Sequence, residues 1–411
     1  MSFSSHSMSD CLTIKLKLSL ICYESIRSKI VANYKFVTHL TETCFQQTNE
    51  IFSRRQSMTV RLRSIFDEIP TYRPGECPDE EEGDQLIKMS SNELPWGPSE
   101  QLKTSLLSAF ESINRYPDFY KQNLSIELAK YTNMQPENIF ADDGSGTLLQ
   151  DLVRLVVNDG DEVVFGSPSF AAYDIDVLLA GGVSVKVPLD ESWTYDLEGV
   201  EHAITDKTRM VLLCNPNNPT GTFLATAQIR VFLQKIENTG ILVVIDEAYR
   251  DFVNCEDCEA SSSLVSEFDN VVLLRTFSKA FGMAGLRLGY GLARPEIVDA
   301  VNKVVAEFSV SSLSQAVGVA MLQDETIMAD LKAKRNIIVA EREKYQDFLR
   351  EMKVDFIPSQ SNFIMIPGDS MELFAQFRQH QLIVRPFDDP AGVRITVGTP
   401  KQMLKAREVW E

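Results

Sequence analysis

The sequence predicts an α/β protein, with a mostly parallel central sheet in a large domain and a smaller α+β domain. Within residues 140–270, short apolar runs alternate with longer segments of helical period, as expected when helices connect parallel strands. Polar and glycine-containing motifs follow several of these runs, and ligands of such sheets bind beyond the carboxyl ends of the strands. Further strand patterns near the C-terminus indicate the second domain.

The individual elements can be placed by their periodicity. Buried strands are expected at the apolar runs, and a helix is expected at residues 148–157. Residues 329–352 have a long charged helical pattern, which predicts a solvated helix with Arg342 on its polar face. The predicted strands of the large domain are 162–165, 210–214, 241–245 and 271–274, and those of the small domain are 359–366, 382–386 and 393–399.

Composition limits the possible functions and partners. The chain has 411 residues, of which 44% are hydrophobic and 24% charged, so it is long enough for two or three domains. A net charge of −18 argues against nucleic acid or an anionic membrane as partner, since either requires a basic surface. No apolar run is long enough to span a membrane. The odd number of cysteines, 7, favours a reducing cytoplasm over a disulfide scaffold.

No metal site is predicted. Cys255 and Cys258 have the spacing of a metal-binding pair, but neither a second pair nor a nearby histidine completes a zinc site. A surface loop is therefore the expected structure. None of the four histidines lies in a motif, which argues against a histidine-based mechanism.

The composition changes along the chain and suggests domain boundaries. Residues 1–57 contain more basic than acidic side chains, whereas the remainder is strongly acidic. We expect residues 1–57 to be an N-terminal extension that is disordered or results from a misassigned start. The small domain is predicted to comprise residues 58–95 and 307–411, and the large domain residues 96–306.

The chain is organised around Lys279, which follows a buried strand and lies among apolar residues. Removing an amine from water lowers its pKa, and a neutral amine can attack an aldehyde. Arg287 adds a forked donor suited to phosphate, and the hydroxyls of Thr276 and Ser278 add further donors. An isolated lysine of this kind would ordinarily be a solvated loop residue. Together these residues suit an aldehyde that carries a phosphate, namely pyridoxal 5′-phosphate.

Other motifs follow predicted strands or open a helix. Ser145, Gly146 and Thr147 open the first helix of the central segment, where backbone N–H groups and the helix dipole can hold a phosphate, although a plain helix cap explains the same pattern. Asp246 ends an apolar strand, where a carboxylate is costly unless it meets a cation. Asn218 lies between two prolines that rigidify its turn.

Three segments carry a family resemblance: residues 276–290 around Lys279, residues 214–221 (Cys-Asn-Pro-Asn-Asn-Pro-Thr-Gly) and residues 243–249 (Val-Val-Ile-Asp-Glu-Ala-Tyr). They resemble the fold-type I, class I/II aminotransferases that depend on pyridoxal 5′-phosphate, and within them the histidinol-phosphate aminotransferase-like branch. The resemblance extends from about Arg61 to the C-terminus.

The resemblance implies a role for each matched residue at the cofactor ring. Lys279 would bond the cofactor covalently and then act as the general base, and Asp246 would pair with the protonated ring nitrogen. Asn218 and Tyr249 would donate to the 3′-oxygen, and Phe170 would stack on the ring. The matched residues near the cofactor phosphate are Ser145, Gly146, Thr147, Thr276, Ser278 and Arg287.

The resemblance also implies substrate and partner contacts. Tyr72, Arg385 and Arg394 match residues on the substrate side, with Arg394 holding a carboxylate. The family forms homodimers in which an aromatic residue reaches the partner's active site. Here Trp96 occupies the position of the usual tyrosine, which changes the possible contact because an indole offers a single N–H.

These features predict an aminotransferase that moves an amino group from histidinol phosphate or an aromatic amino acid to 2-oxoglutarate, with histidine biosynthesis as a possible context. Two alternatives use the same cofactor residues. One is a phosphothreonine decarboxylase-like lyase, and the other is a cofactor-binding module without catalysis.

Overall fold

The computed structural model describes residues 60, 62–67, 69, 71, 75–76, 86–255 and 259–411. Expectations for residues 1–57, for Tyr72 and for Cys258 therefore lie outside the described residues. The chain divides into residues 1–66 and 67–411. Residues Ser64–Asp67 form a short 3-10 helix at the boundary between these units. No helix in the described ranges is long and apolar enough to cross a membrane.

The described ranges contain α-helices and β-strands that alternate through the central segment. The helices are α1 (Glu100–Phe110), α2 (Gln122–Thr132), α3 (Ser145–Val156), α4 (Ala172–Ala180), α5 (Leu197–His202), α6 (Thr226–Lys235), α7 (Ser262–Glu267), α8 (Pro295–Val301), α9 (Ser312–Gln323), α10 (Glu325–Glu351), α11 (Ser370–Gln379) and α12 (Pro400–Arg407). The strands are β1 (Ile87–Lys88), β2 (Ile139–Asp142), β3 (Glu162–Ser167), β4 (Val183–Pro188), β5 (Thr208–Cys214), β6 (Leu242–Asp246), β7 (Val271–Thr276), β8 (Gly289–Leu292), β9 (Phe363–Pro367), β10 (Leu382–Ile383), β11 (Arg385–Asp388) and β12 (Ala391–Thr396).

A seven-stranded sheet forms the centre of the fold, with strand order β2-β8-β7-β6-β5-β3-β4. The neighbouring strands β4, β3, β5, β6 and β7 are parallel to one another. Strand β8 is antiparallel to both of its neighbours, β7 and β2. The mostly parallel α/β sheet expected from the sequence is confirmed. Strands β5, β6 and β7 are almost entirely buried, which explains their continuous apolar sequences: both faces of a parallel sheet are covered.

The topology brings the predicted motifs to one edge of this sheet. Because β8 reverses direction and β2 reverses it again, β2 points the same way as β7. The carboxyl ends of β2, β3, β5, β6 and β7 therefore meet at a single edge. Asp246 is the last residue of β6, and the segments that follow the other four strands contain Ser145, Phe170, Asn218 and Lys279.

Two smaller sheets and a second hydrophobic cluster lie beyond the central sheet. Strands β11, β12 and β9 form an antiparallel sheet, and β1 pairs in parallel with β10. The larger cluster includes residues from Leu102 to Leu331, whereas the second runs from Met89 through Ile338 to Val409. This second cluster contains residues from both helices and strands, as a small α+β domain would. The domain boundaries themselves stay a prediction.

Helix α10 differs from the solvated helix that the sequence predicts. Arg342, expected on a polar face, is completely buried. Its guanidinium donates to the carbonyl oxygens of Phe252 at 2.9 Å and Ser361 at 3.1 Å, and to Asn254 Oδ1 at 2.6 Å. Its Nε and Nη2 also donate to Glu343 Oε1, at 3.1 Å and 2.6 Å. The expectation was wrong because a guanidinium can be buried when its several donors are used by carbonyl and carboxylate oxygens, which helical periodicity cannot reveal.

Candidate active site

A cavity of about 350 Å³ lies at the carboxyl edge of the central sheet. It is lined by most residues that the sequence singles out, and the strands place them there from distant parts of the chain. The predicted residues that line it are Ser145, Gly146, Phe170, Asn218, Asp246, Tyr249, Thr276, Ser278, Lys279, Arg287, Arg385 and Arg394.

Two described residues that the sequence singles out do not line this cavity. The hydroxyl of Thr147 donates to the carbonyl oxygen of Asp143 at 2.8 Å, so any contact of Thr147 with an anion would come from its backbone N–H. Trp96 lines a second, much smaller pocket, together with Phe281 and Leu331 of its own chain.

Lys279 lies just after β7 and is partly buried. Its Nζ donates to the carbonyl oxygen of Ser91 at 3.1 Å and lies 5.8 Å from the centre of the Tyr249 ring. Burial, together with the nearby Arg394 cation, lowers the pKa of this amine from 10.5 to about 8. A larger fraction of Lys279 is therefore neutral near neutral pH than for a solvated lysine.

Asp246 ends β6 and points into the same cavity. Its Oδ2 accepts from the Tyr173 hydroxyl at 2.9 Å, and its Oδ1 accepts from the Ala248 N–H at 3.1 Å. Burial raises the pKa of the carboxyl, and the bond from Tyr173 opposes that rise. Tyr173 is fully buried, and its hydroxyl holds this carboxylate.

An anion cradle is formed where α3 meets the segment after β7. Gly144, at the N-cap of α3, has φ +86° and no side-chain cap, so the first N–H groups of the helix are free of a side-chain cap bond. A Cβ on Gly144 would lie only 2.5 Å from Arg287 Nη2, so the guanidinium rests directly against this backbone. Arg287 Nη1 also reaches Ser278 Oγ at 3.4 Å.

Two arginines that line the cavity lie opposite each other on paired strands. Arg385 of β11 is directly opposite Arg394 of β12, and like charges in this position repel. Arg394 is almost completely buried; it donates to Asn218 Oδ1 and to the Ser90 carbonyl oxygen, the latter at 2.9 Å. Its guanidinium carbon lies 5.2 Å from the centre of the Phe363 ring and 5.3 Å from that of Phe387.

The aromatic side chains at this edge also pack together. Phe170 follows β3, lines the cavity and meets the Tyr173 ring edge to face, with 5.6 Å between the ring centres. Its ring can cover one face of a planar ligand in the cavity.

Residues 90–92 also line the cavity, although no role for them is predicted from the sequence. The Asn92 side-chain amide donates to the Tyr249 hydroxyl at 3.0 Å. Two of the contacts use backbone oxygens, so these contacts could be found only from the structure.

The cavity fits pyridoxal 5′-phosphate in each part. The first turn of α3 and Arg287 form a cradle for a phosphate. Lys279 offers an amine with a lowered pKa to an aldehyde, and a cation such as a protonated ring nitrogen would stabilise the charged form of Asp246, which burial disfavours. Among the described residues no cluster of histidine, cysteine or acidic side chains could hold a metal ion.

Comparisons with known proteins agree with this geometry. The chain is 42% identical over 359 residues to an aromatic amino acid aminotransferase of Mycobacteroides abscessus, covering 86% of this chain and 100% of the relative. It is 40% identical over 347 residues to an aromatic amino acid aminotransferase of Mycolicibacterium smegmatis, covering 84% and 93%. A crystal structure of histidinol-phosphate aminotransferase from Sinorhizobium meliloti in complex with pyridoxal 5′-phosphate has a TM-score of 0.76 at 26% identity, covering 86% and 99%.

The family described as aminotransferase class I and II matches residues 84–409, which include every described residue that lines the cavity apart from Gly75. This match, the relatives and the fold agree with one another, and the chain belongs to the pyridoxal phosphate-dependent class I and II aminotransferases.

Proposed function

We propose that this aminotransferase moves an amino group from an aromatic amino acid to 2-oxoglutarate. The proposal rests on one observation: Lys279, whose pKa is lowered, and the buried guanidinium of Arg394 line the same cavity. The aromatic donor is favoured because relatives about 40% identical over nearly their full length are named aromatic amino acid aminotransferases. The phenyl rings of Phe170 and Phe387 also line the cavity.

Lys279 is the proposed general base. Bound pyridoxal 5′-phosphate supplies a carbonyl carbon for the amine and a ring that accepts the electrons left when a proton departs. The Lys279 amine can take that proton from the substrate α-carbon and return it, since its pKa of about 8 lies near neutral pH. The Ser91 carbonyl oxygen holds the amine at the cavity wall.

The remaining cofactor residues are proposed to fix the ring and its charge. Asp246, held by Tyr173, would keep the ring nitrogen protonated, and Asn218 and Tyr249 would donate to the 3′-oxygen. Phe170 would cover the ring and exclude water from that face. The proposed phosphate contacts come from Ser145, Gly146, the backbone of Thr147, Thr276, Ser278 and Arg287.

Arg394 is proposed to hold the α-carboxylate of both the donor and 2-oxoglutarate. A guanidinium can form two parallel hydrogen bonds to a carboxylate, and the rings on either side fix its plane. A substrate anion would also relieve the repulsion between Arg394 and Arg385 on the neighbouring strand. Tyr72, outside the described residues, stays a proposed substrate contact.

Histidinol phosphate is the second candidate donor. It has a phosphate in place of a carboxylate, and Arg385 at the cavity wall gives a second cation for that phosphate. The structural neighbour from S. meliloti is named a histidinol-phosphate aminotransferase, which supports the same donor and a role in histidine biosynthesis. The lower identity of that neighbour makes this candidate the weaker of the two.

We also propose a cytoplasmic homodimer, as is common among aminotransferases of this fold. Tyr116, Phe119, Tyr120 and Phe308 form one aromatic cluster, with Tyr116 82% and Tyr120 69% exposed. Exposed aromatic clusters of this kind are typical of protein interfaces. A contact of Trp96 with the partner's site stays part of this proposal.

Steady-state kinetics test the choice of donor. Purified protein loaded with pyridoxal 5′-phosphate is assayed with phenylalanine, tyrosine and histidinol phosphate, each with 2-oxoglutarate, and glutamate is measured. We expect kcat/KM to be higher for the aromatic amino acids than for histidinol phosphate. A higher value for histidinol phosphate would replace the proposed donor with the second candidate, and release of CO₂ without glutamate would favour a lyase.

A further inference from the structure

The segment of residues 90–92 contacts three side chains of the active site at once. The Ser90 carbonyl oxygen accepts from Arg394 at 2.9 Å, the Ser91 carbonyl oxygen accepts from Lys279 at 3.1 Å, and Asn92 Nδ2 donates to the Tyr249 hydroxyl at 3.0 Å. The first two contacts use backbone atoms. The third depends on the identity of a side chain, so it can be altered by mutation.

Asn92 is held in one orientation by its own surroundings. It is 1% exposed and has φ +56°, a left-handed conformation that asparagine tolerates better than most residues. The Thr396 hydroxyl accepts the Asn92 backbone N–H at 2.9 Å and donates its hydrogen to Asn92 Oδ1 at 3.1 Å. Asn362 Nδ2 donates to the Asn92 carbonyl oxygen at 3.1 Å. Oδ1 is therefore engaged by Thr396, and Nδ2 faces Tyr249.

This orientation determines which way the Tyr249 hydroxyl can donate. A tyrosine hydroxyl has one hydrogen to give, and an amide N–H can only be accepted by its oxygen. Since the Tyr249 oxygen accepts from Asn92, its hydrogen must point elsewhere, and both residues line the cavity. We propose that Asn92 is a positioning residue that commits the Tyr249 hydroxyl to donate into the cavity, toward the 3′-oxygen of pyridoxal 5′-phosphate. This inference rests on the proposed role of Tyr249.

The substitution Asn92→Asp tests the direction of donation with almost no change in shape. A carboxylate oxygen in place of Nδ2 can only accept, so the Tyr249 hydroxyl turns and donates to the new carboxylate instead of into the cavity. A donor to the 3′-oxygen stabilises negative charge on that oxygen. It therefore lowers the pKa of the neighbouring cofactor group that carries a proton. Losing the donor raises that pKa, which is measured as the pH midpoint of the visible absorbance change of the cofactor-loaded protein.

We expect Asn92→Asp and Tyr249→Phe each to raise this midpoint by about one pH unit or more, since a hydrogen bond to a charged group is lost. The negative charge of the new carboxylate can also raise the midpoint directly. The double variant separates this effect of charge from the effect of losing the Tyr249 hydrogen bond. In the Tyr249→Phe background, Asn92→Asp should cause only a small part of its single-variant shift. The cofactor dissociation constant should follow the same non-additive pattern.

An equal shift of the midpoint by Asn92→Asp in both backgrounds would overturn the proposal, as would no shift in the wild-type background. If Asn92→Asp does not fold, Thr396→Val is used, because it removes the hydroxyl that fixes the amide. It should shift the midpoint in the same direction, and again little in the Tyr249→Phe background. The titration needs only cofactor binding, so failure to transaminate aromatic amino acids would contradict the proposed function without affecting this test.

Discussion

Lys279 illustrates how a residue's chemistry depends on parts of the chain that lie far apart. Its place after a buried strand is apparent in the sequence, and desolvation could be expected from that place. The effect of Arg394 on the pKa of Lys279 and the hydrogen bond to the Ser91 carbonyl oxygen could not be predicted. Both groups come close to the lysine only in the tertiary structure. The residue was thus predictable, whereas its charge environment was not.

Replacing Lys279 tests the proposed covalent contact with the cofactor. Lys279→Ala should remove the visible absorbance of lysine-bound cofactor and abolish turnover, with the circular dichroism spectrum unchanged because a cavity residue is lost without disturbing the core. Lys303→Ala, on the surface, serves as the control. Wild-type turnover in Lys279→Ala would refute the assignment.

The two arginines of the substrate side should respond differently to substitution. Arg394→Lys keeps the positive charge but cannot form two parallel hydrogen bonds to a carboxylate. We therefore expect kcat/KM to fall by about thirtyfold or more for both an aromatic amino acid and 2-oxoglutarate. Arg385→Ala should reduce kcat/KM mainly for histidinol phosphate. Steady-state kinetics on both variants with all three substrates decide this. Equal, small losses throughout would show that neither arginine binds the substrate anion.

At the level of elements, apolar runs predicted the strands of the large sheet closely. Residues 241–245 and 210–214 were expected as strands, and the structure has Leu242–Asp246 and Thr208–Cys214. Helix α10 was also predicted over nearly its whole length, yet its Arg342 was placed on the wrong face. Periodicity gives the position of a residue on a helix, but the carbonyls that bind Arg342 come from Phe252 and Ser361.

Removing the Arg342 side chain should therefore destabilise the protein. Arg342→Ala leaves two carbonyl oxygens without their donor, and we expect the free energy of unfolding to fall by at least about 2 kcal/mol. The exposed Arg350 on the same helix is the matched control, and Arg350→Ala should change stability by less than about 1 kcal/mol. Urea denaturation measures both. Equal effects of the two variants would contradict the role of Arg342.

For the whole molecule, the fold class, the family and most of the cavity residues could be predicted because each motif follows an apolar strand. The role of residues 90–92 could not be predicted, since they contact Arg394, Lys279 and Tyr249, which lie far away in the sequence. The Tyr173–Asp246 bond was missed for a related reason. An aromatic residue in an apolar setting is usually packing, and its hydroxyl shows a partner only in three dimensions.

The buried carboxyl of Asp151 gives the folded state a pH dependence. Asp142 ends β2 and Asp151 lies on α3, and both are almost completely buried. Burial and the neighbouring Asp142 raise the pKa of Asp151 to about 7, against 3.8 for a solvated carboxyl. Between these two pH values the folded state holds a proton that the unfolded state has lost. The contribution of Asp151 to stability is therefore present at low pH and disappears as pH rises to about 7.

Asp151→Asn removes this ionisation. The free energy of unfolding of the variant minus that of the wild type should become more positive from about pH 4 to pH 7, by about 1 kcal/mol for each pH unit, and then stay constant. Asp347→Asn is the control, because Asp347 also precedes an arginine by three residues but its side chain is 70% exposed. Chemical denaturation at several pH values gives both differences. A difference for Asp151→Asn that does not change with pH would refute the raised pKa.

The central claim is that this cavity transfers an amino group from an aromatic amino acid, and a half-reaction tests it most directly. Cofactor-loaded protein is mixed with phenylalanine in the absence of any keto acid, and phenylpyruvate and CO₂ are measured. The proposed function predicts about one phenylpyruvate per bound cofactor, no CO₂, and glutamate once 2-oxoglutarate is added. Release of CO₂, or no product with the cofactor bound, would contradict it.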